Sequence, residues 1–315
     1  MPIRIPDILP ATGILESENI FVMTEHRALH QHIRPLRVLI LNLMPTAIQT
    51  ETQILRKLSN TPLQVNVDLL QVASAATTTQ VEHLEHFYVT LPEIRDKRYD
   101  GMVVTGAPVG DLPFEDVEFW PELCEIFDWA RSHVFSTLFI SWSAQAGMHY
   151  YYGIQKHRRE EKLLGVFDHT ILMPSCQLVR GIDDVITAPR SQQNEMRVAD
   201  IVAHKDLKVV AASEHAGVYL AKSRDNRHVF VFGHPEYDRD TMAKDYAADL
   251  SRGAKPTMPV NYFLEDDPTR TPRSTWRSDG QLLYSNWLNY YVYQATPYDL
   301  DSLRITHEFE NAFPF

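Results

Sequence analysis

Apolar runs of strand length alternate with stretches of helical spacing through the first 150 residues. The strand-like runs cover residues 36–44, 65–72, 100–108 and 137–140, and the helix-like stretches between them cover 46–59, 83–94 and 114–131. Regular alternation of this kind is typical of a parallel sheet that is covered by helices on both faces. The sequence therefore predicts an α/β fold built on a doubly wound, mostly parallel sheet.

The second half of the chain has a different pattern, with short strand-like runs joined by turns between residues 165 and 232. The last of these runs, 228–232, has to return to the parallel sheet if the residues after it are to reach the other strand ends. A helix is predicted over 239–252, a loop rich in proline and aspartate over 255–273, and a final helix within 276–293. We expect an N-terminal arm at 1–34, a single α/β domain at 35–300 and a C-terminal tail at 301–315.

Composition excludes several classes of function. The 315 residues carry a formal net charge of −11, whereas a nucleic-acid-binding protein needs a concentrated basic surface. No apolar run approaches the roughly 18 residues of a membrane-spanning helix, and the N-terminus lacks the apolar core of a signal peptide. Cys124 and Cys176 are too few for a disulfide framework. We expect a cytoplasmic protein that acts on small molecules, without nucleic-acid or membrane partners.

The segment after the strand-like run 137–140 has the pattern of a nucleophile elbow. Ser141 follows four residues of strand character, and a helix-compatible stretch starts at Trp142. In such an elbow the side chain stands at the carboxyl end of a strand, above the first turn of a helix. The free N–H groups and the dipole of that turn favour an oxyanion. Ser141 is the candidate nucleophile, although a serine alone at such a place is more often a turn or helix-capping residue.

A second strand-like run ends in a histidine with a carboxylate two residues later. Val229 to Phe232 are apolar, and His234 and Glu236 follow after a glycine. Catalytic groups of parallel sheets collect at the carboxyl ends of the strands. We therefore expect Ser141, His234 and Glu236 to converge as nucleophile, base and orienting carboxylate.

Other polar and aromatic clusters have simpler explanations. His83 and His86 lie on one face of a predicted helix, but no set of Cys, Asp or Glu with ligand spacing completes a metal site. We therefore expect neither a metal nor another bound cofactor. The aromatic residues near the C-terminus are assigned to the core, with stacking against a ligand as the alternative. They are Trp287, Tyr290, Tyr291 and Tyr293.

Five sequence blocks are specific enough to indicate a family. They are Met1-Pro-Ile-Arg-Ile-Pro6, Leu39-Ile-Leu-Asn-Leu-Met-Pro45, Val104-Thr-Gly-Ala-Pro108, Gly233-His-Pro-Glu-Tyr237 and Asn286-Trp-Leu-Asn-Tyr-Tyr-Val-Tyr-Gln294. From Met1 to about Leu300 the chain resembles the homoserine O-acyltransferases of the MetA type. The resemblance implies a class I glutamine-amidotransferase-like fold. A glutamine amidotransferase is the less favoured alternative, because the long last block belongs to the acyltransferases.

The resemblance also implies a reaction and a set of site residues. The reaction is ping-pong transfer of an acyl group from an acyl-CoA co-substrate to an enzyme nucleophile and then to the hydroxyl of homoserine, toward methionine. The matched positions are Ser141 as nucleophile, His234 as base, Glu236 as its partner, Lys162 and Ser191 for substrate binding, and the backbone of Gly106, Ala107 and Trp142 for the oxyanion hole. Gly110 matches the position that separates succinyl from acetyl donors, and a glycine there leaves space for a succinyl carboxylate.

Two positions depart from the family pattern. The family nucleophile is a cysteine, the intrinsically stronger nucleophile near neutral pH, whereas this chain has Ser141. A natural serine variant, a serine introduced to trap the acyl-enzyme, and loss of activity all remain open as explanations. The family also carries an arginine for the substrate carboxylate where this chain has Ala248, and losing such a contact costs about 1.5–3 kcal/mol. Arg252 and Arg190 are the candidates to replace it.

These features favour a homoserine O-acyltransferase that uses succinyl-CoA. A related acyltransferase with a different amino-acid or amine acceptor is the alternative, as is a form inactivated by the change from cysteine to serine. A homodimer is expected, with the arm and the aromatic C-terminal helix as the candidate contacts.

Overall fold

The computed structural model describes residues 3–5, 9–17, 23–24, 34–74, 80–253, 255–297 and 300. The predicted tail at 301–315 and much of the predicted arm at 1–34 lie outside these residues. The strands are β1 Ile3–Ile5, β2 Met23–Thr24, β3 Leu36–Leu41, β4 Val65–Leu70, β5 Tyr88–Val89, β6 Tyr99–Val104, β7 Val134–Ile140, β8 His157–Ile171, β9 Val185–Glu195, β10 Leu207–Ser213, β11 Gly217–Ser223 and β12 His228–Val231.

All of these strands belong to one sheet, in the order β2-β1-β4-β3-β6-β7-β12-β11-β10-β8-β9, with β5 paired to β4. Pairing is parallel from β2 through to β12, and the remaining pairs are antiparallel. The predicted α/β class with a mostly parallel sheet is confirmed. The expected return of the last short strand is also observed, because β12 pairs in parallel with β7 and matches Val231 to Ile140.

The helices lie on both faces of the sheet. They are α1 Pro10–Ser17, α2 Ala47–Ser59, α3 Val81–Phe87, α4 Leu91–Ile94, α5 Trp120–His133, α6 Trp142–Tyr152, α7 Val198–Ala203, α8 Thr241–Ser251 and α9 Arg277–Asn286, which continues as a π-helix over Trp287–Tyr293. Alternate residues of β3 point to opposite faces, as the strand period of two requires. Val38 and Ile40 pack in the core shared with α2 and α9, whereas Leu39 and Leu41 pack in the core shared with α5 and α6.

Two helices predicted as continuous are divided in the structure. The stretch 83–94 contains α3, the short strand β5 and then α4, which begins with Pro92 in its first turn. The stretch 114–131 starts with a 3₁₀ turn at Phe114–Asp116, and α5 follows with Pro121 in its first turn. Proline lacks an N–H donor and is best accommodated in the first turn of a helix, so each proline marks a new start.

The aromatic C-terminal segment lies mainly in the core. Trp287 is fully buried and its Nε1 donates to Oγ of Ser136 at 3.1 Å, and Tyr291 is also buried. Tyr293 is exposed. Core packing therefore accounts for Trp287 and Tyr291, as predicted.

Candidate active site

Ser141 occupies a strained turn between β7 and α6. Its backbone has φ 57° and ψ −116°, a conformation that non-glycine residues seldom adopt. Its N–H donates to the carbonyl of Val231 at 2.7 Å, so the turn is tied to the end of β12. Strain of this kind persists where the surrounding structure enforces it and is common at functional sites. The predicted nucleophile elbow is therefore present as a backbone geometry, with Ser141 buried to all but 7% of its surface.

The fully buried Ser143 holds this turn in place. Its Oγ accepts from the N–H of Ile140 at 2.9 Å and donates to the carbonyl of Val104 at 2.8 Å. These contacts join the ends of β6 and β7 directly beneath the elbow. This role of Ser143 was not predicted, because it depends on a carbonyl 39 residues away.

His234 and Glu236 form a buried pair after β12. Nδ1 of His234 lies 2.8 Å from Oε1 of Glu236. The His234 N–H donates to the carbonyl of Pro189 at 2.9 Å, and the ring stacks on that of Tyr237 with centroids 4.1 Å apart. The carboxylate at Nδ1 and the neighbouring ring together fix the plane of the imidazole and leave Nε2 for proton transfer.

Gly106 shows how closely the nucleophile and the base approach one another. A Cβ placed on Gly106, just after β6, would lie 3.4 Å from Cβ of Ser141 and 3.6 Å from Cε1 of His234. The carboxyl ends of β6, β7 and β12 thus bring all three residues to one place. Ser141 and His234 therefore both adjoin Gly106, and Glu236 contacts His234 at Nδ1.

Glu236 lies in an aromatic pocket. Burial, followed by the negative charge of Glu236, raises the pKa of Tyr219, Tyr237 and Tyr284. Oε2 of Glu236 is buried and has no hydrogen-bond partner among the described residues. The carboxylate also acts on Lys57 of α2, which is 5% exposed and whose pKa burial lowers to about 8. Lys57 was not predicted as a site residue, because it lies in an otherwise amphipathic helix.

The candidate oxyanion hole consists of three backbone N–H groups, those of Gly106, Ala107 and Trp142. Within the described part of the chain, the N–H groups of Gly106 and Ala107 donate to no carbonyl or side chain. Trp142 is the first residue of α6, where a helix N–H has no partner within its own helix. Gly106 and Ala107 follow β6 and Trp142 follows Ser141, so these three N–H groups remain the candidate donors to an oxyanion.

Lys162 and Ser191 lie on the paired strands β8 and β9. Leu164 pairs with Ser191, and Lys162 lies in the irregular stretch just before Leu163. Desolvation raises the pKa of the Asp245 carboxyl, and the positive charges of His234 and Lys162 oppose that shift. Asp245 of α8 is therefore close enough to both charges to be affected by them.

The two arginines considered as replacements at Ala248 differ in environment. Arg252 is 74% exposed in its side chain and lies 3.7 Å from Asp249. Arg190 is 1% exposed, and one of its guanidinium nitrogens lies 2.9 Å from Nε2 of His169. Burial lowers the pKa of Arg190 to about 9. A buried guanidinium with neutral partners is costly to retain. Arg252 follows Ala248 by one turn, and its N–H donates to the Ala248 carbonyl at 3.2 Å.

Gly110 lies in the loop after β6, and this loop is anchored from two directions. Its carbonyl accepts from Nζ of Lys156 at 2.9 Å and from Nδ2 of Asn194 at 2.5 Å. A Cβ on Gly110 would meet no atom within 4 Å, so the space beside this residue is free. Lys156 and Asn194 were not identified from the sequence, because both reach Gly110 from distant strands and turns.

The described residues hold no group of three or more His, Cys, Asp or Glu side chains suited to a metal ion. His83, considered as a ligand, instead places Nε2 at 3.0 Å from Oε2 of the buried Glu51. No helix in the described ranges is long and apolar enough to cross a membrane.

The fold and the site together define an α/β protein with a nucleophile elbow and a buried histidine–carboxylate pair at one sheet edge. Solved glutamine amidotransferases have similar folds. One from Thermotoga maritima has a TM-score of 0.54 at 14% identity, covering 82% of this chain and 98% of its own. A putative GMP synthase subunit from Thermoplasma acidophilum has a TM-score of 0.53 at 14% identity, covering 82% of this chain and 94% of its own. At such low identity the likeness concerns the fold, and it confirms the predicted amidotransferase-like architecture.

Sequence comparison identifies the family. The profile of the homoserine O-succinyltransferase family matches residues 2–298, and the chain belongs to this family. A homoserine O-acetyltransferase of Acetivibrio thermocellus is 51% identical over 96% of this chain and 100% of its own length. A homoserine O-succinyltransferase of Vibrio vulnificus is 52% identical over 99% of both chains. The predictions of the family and of an acyltransferase are confirmed, whereas these identities do not separate the two donors.

Proposed function

We propose that this protein transfers an acyl group from an acyl-CoA to the hydroxyl of L-homoserine through an ester on Ser141. The family supports the acceptor, since the relatives above are named for homoserine. The observation that carries the mechanism is the approach of Ser141 and His234 to one point at Gly106. We also propose that the protein is a cytoplasmic homodimer, that it needs no cofactor, and that its product serves methionine synthesis.

In the first half-reaction, Nε2 of His234 takes the hydroxyl proton of Ser141 while Oγ attacks the thioester carbonyl. The carbonyl oxygen becomes an oxyanion held by the N–H groups of Gly106, Ala107 and Trp142. The C–S bond then breaks, and the CoA thiol leaves with the proton from His234. Glu236 stabilises the transient imidazolium and keeps Nδ1 protonated.

In the second half-reaction, His234 takes the proton of the homoserine hydroxyl as its oxygen attacks the ester. The bond between Oγ of Ser141 and the acyl carbon breaks, and Oγ recovers the proton. Lys162 and Ser191 bind the amino acid in this proposal. Because Ala248 cannot bind the substrate carboxylate, we assign that contact to Lys162, whose charge acts on Asp245 together with that of His234.

Mass spectrometry tests the covalent step. The protein is incubated with succinyl-CoA or acetyl-CoA without acceptor, digested, and examined for an ester on the peptide that contains Ser141. Homoserine added next should remove the ester and yield the O-acyl product. An ester on a different residue, or product formation by Ser141→Ala at the parent rate, would contradict the mechanism.

Ala248 favours a second candidate, an acyltransferase with another acceptor. The arginine expected there would bind an amino-acid carboxylate, so an acceptor with less need for that contact is compatible with alanine. A panel of amino acids and amino alcohols, compared by kcat/KM, separates the two candidates. Homoserine turning over far faster than every other acceptor would exclude the second one.

A further inference from the structure

The hydroxyl of Thr105 links the end of β3 to the backbone of Gly106. Thr105 directly follows β6 and is 2% exposed. Its Oγ1 accepts from the N–H of Leu43 at 2.8 Å and donates to the carbonyl of Gly106 at 3.0 Å. A hydroxyl has a single proton, so this proton is committed to Gly106 while Leu43 occupies a lone pair. The Gly106 carbonyl is therefore held in one direction.

The Leu43 end of this link is itself fixed. The N–H of Thr105 donates to the carbonyl of Leu41 at 3.0 Å, which ties the end of β6 to the end of β3. After β3, Oδ1 of Asn42 accepts from the N–H of Met44 at 3.1 Å. The backbone is thus held on both sides of Leu43, and the hydroxyl of Thr105 receives its hydrogen bond from a fixed donor.

The hydrogen bond to Gly106 also sets the direction of the Ala107 N–H. The carbonyl of Gly106 and the N–H of Ala107 belong to one trans peptide, in which the two groups point in opposite directions. Holding the carbonyl on Thr105 therefore turns the Ala107 N–H away from Thr105. Among the described residues, Gly106 to Pro108 make no other hydrogen bond. The Thr105 hydroxyl is thus the polar contact that fixes this peptide.

This peptide adjoins the candidate nucleophile and base. A Cβ on Gly106 would lie 3.4 Å from Cβ of Ser141 and 3.6 Å from Cε1 of His234. Glycine has the widest choice of backbone angles, so the peptide after Gly106 can turn while Ser141 and His234 stay in place. The direction of the Ala107 N–H therefore needs a constraint of its own.

We propose that Thr105 is a positioning residue, whose hydroxyl holds the Gly106 carbonyl so that the Ala107 N–H is directed at the oxyanion formed when Ser141 is acylated. This inference rests on the proposed acyl transfer through Ser141. Thr105 does not contact the substrate in this role. Its loss should therefore slow the chemical step and leave the binding of the acyl-CoA unchanged.

The test compares the parent with Thr105→Val, which has nearly the same shape without the hydroxyl, and with Thr105→Ser, which keeps the hydroxyl. Acyl-enzyme formation is measured with succinyl-CoA and acetyl-CoA, and their dissociation constants are measured in the Ser141→Ala background. We expect Thr105→Val to slow acylation by about 10- to 100-fold with unchanged dissociation constants, since complete removal of an oxyanion donor costs about 10²- to 10³-fold. Thr105→Ser should keep most of the rate. Acylation by Thr105→Val at the parent rate, or an equal loss in Thr105→Ser, would overturn the inference.

Ser136→Ala separates positioning from the loss of a buried hydroxyl as such. Ser136 is fully buried, and its Oγ accepts from Nε1 of Trp287 at 3.1 Å. It lies on β7 five residues before Ser141, which is about 16 Å along a strand. Ser136→Ala and Thr105→Val each leave a buried N–H without its acceptor, so both should lower the midpoint of urea unfolding. Acylation should be slow in Thr105→Val alone, and an equal slowing in Ser136→Ala would overturn the inference.

An activated ester separates this inference from the proposed function. With p-nitrophenyl acetate the bond between Oγ of Ser141 and the acetyl carbon forms, the ester C–O bond breaks, His234 takes the serine proton and p-nitrophenolate leaves. If the parent shows this burst but transfers nothing from acyl-CoA to homoserine, the proposed function fails, and Thr105→Val should still slow the burst. A parent that is not acetylated on Ser141 by this ester would overturn the inference as well.

A structure of the parent with methylboronic acid tests the geometry without any variant, and so also if Thr105→Val does not fold. Boron bonded to Oγ of Ser141 is tetrahedral and carries oxygens that stand in for the oxyanion. We expect one of them within hydrogen-bond distance of the Ala107 nitrogen, with the Gly106 carbonyl still on Thr105. An adduct whose oxygens all lie away from Ala107 would overturn the inference.

Discussion

His234 and Glu236 are separated by a single residue, yet their side chains meet at 2.8 Å between Nδ1 and Oε1. Both side chains are almost fully buried, and the second oxygen of Glu236 has no hydrogen-bond partner among the described residues. The pair is therefore a local unit of the turn after β12, and its alignment with Ser141 depends on the sheet.

Glu236→Gln should leave the fold intact and remove most of the activity. The amide can still contact Nδ1, but it neither balances the imidazolium nor enforces the tautomer with a proton on Nδ1. We expect kcat to fall by about 10³- to 10⁴-fold, the loss typical of an orienting carboxylate. Steady-state acyl transfer measures it. Glu125→Gln, an exposed carboxylate paired with Arg95, is the control and should match the parent.

A loss below tenfold for Glu236→Gln would show that His234 is oriented by other contacts. The stacked ring of Tyr237 would then be the leading candidate.

Ser141→Cys tests whether the serine limits or abolishes the activity. The elbow geometry is set by the backbone and by Ser143, so either nucleophile should stand at the same place. A thiol ionises more readily than a hydroxyl, and we expect acyl-enzyme formation to be faster in the variant, by burst kinetics with an acyl-CoA. Ser141→Ala should form no acyl-enzyme.

Activity in Ser141→Cys with none in the parent would identify the natural chain as an inactivated form. Equal burst rates for the two nucleophiles would show that a step other than attack on the thioester is limiting.

Those parts of the candidate site that are marked by a short, continuous stretch of sequence could be predicted. The run into Ser141 and the turn at His234 and Glu236 each combine a buried strand with polar residues directly after it. Because parallel strands end at a common edge, their convergence followed from the predicted fold. The antiparallel extension from β8 to β11 does not disturb this edge.

Residues that act over long sequence separations could not be predicted in the same way. Ser143 contacts a carbonyl 39 residues away, and Lys156 contacts one 46 residues away. In sequence, each is an ordinary polar residue within or after a helix. Their partners are backbone atoms, which carry no residue-specific signal, so three-dimensional proximity alone reveals them.

Gly233→Ala should disrupt the turn that carries His234. A Cβ at this position would lie 2.7 Å from the carbonyl oxygen of Pro189 and 2.8 Å from Cε2 of Tyr219. Overpacking of this kind costs about 1–3 kcal/mol and would displace His234 from its hydrogen bond to Pro189. Urea unfolding and kcat should both report the change. Gly110→Ala is the matched control for the unfolding measurement, since its Cβ meets nothing within 4 Å.

Equal unfolding free energies for the two glycine variants would contradict the close packing around Gly233. A stable Gly233→Ala with low activity would separate positioning of His234 from stability.

Lys57→Met should stabilise the protein below pH 8. Burial lowers the pKa of Lys57 from 10.5 to about 8, even though Glu236 and Asp238 attract its charge. The unfolded chain therefore holds the proton more tightly, and the parent should become more stable as pH rises from about 8 to 10.5. This pKa difference corresponds to about 3 kcal/mol in the free energy of unfolding. Methionine removes the buried charge, so Lys57→Met should exceed the parent in stability by the largest amount at pH 7 and by little above pH 10.

Chemical unfolding from pH 6 to 11 measures this difference between parent and variant. Subtracting the two curves cancels the other titrating groups, among them Arg190. Lys244→Met, whose lysine is 67% exposed in its side chain, should give a curve parallel to that of the parent. If Lys57→Met is also parallel, or is destabilised at neutral pH, the attraction to Glu236 outweighs the cost of burial. Lys57 would then support the carboxylate that orients His234.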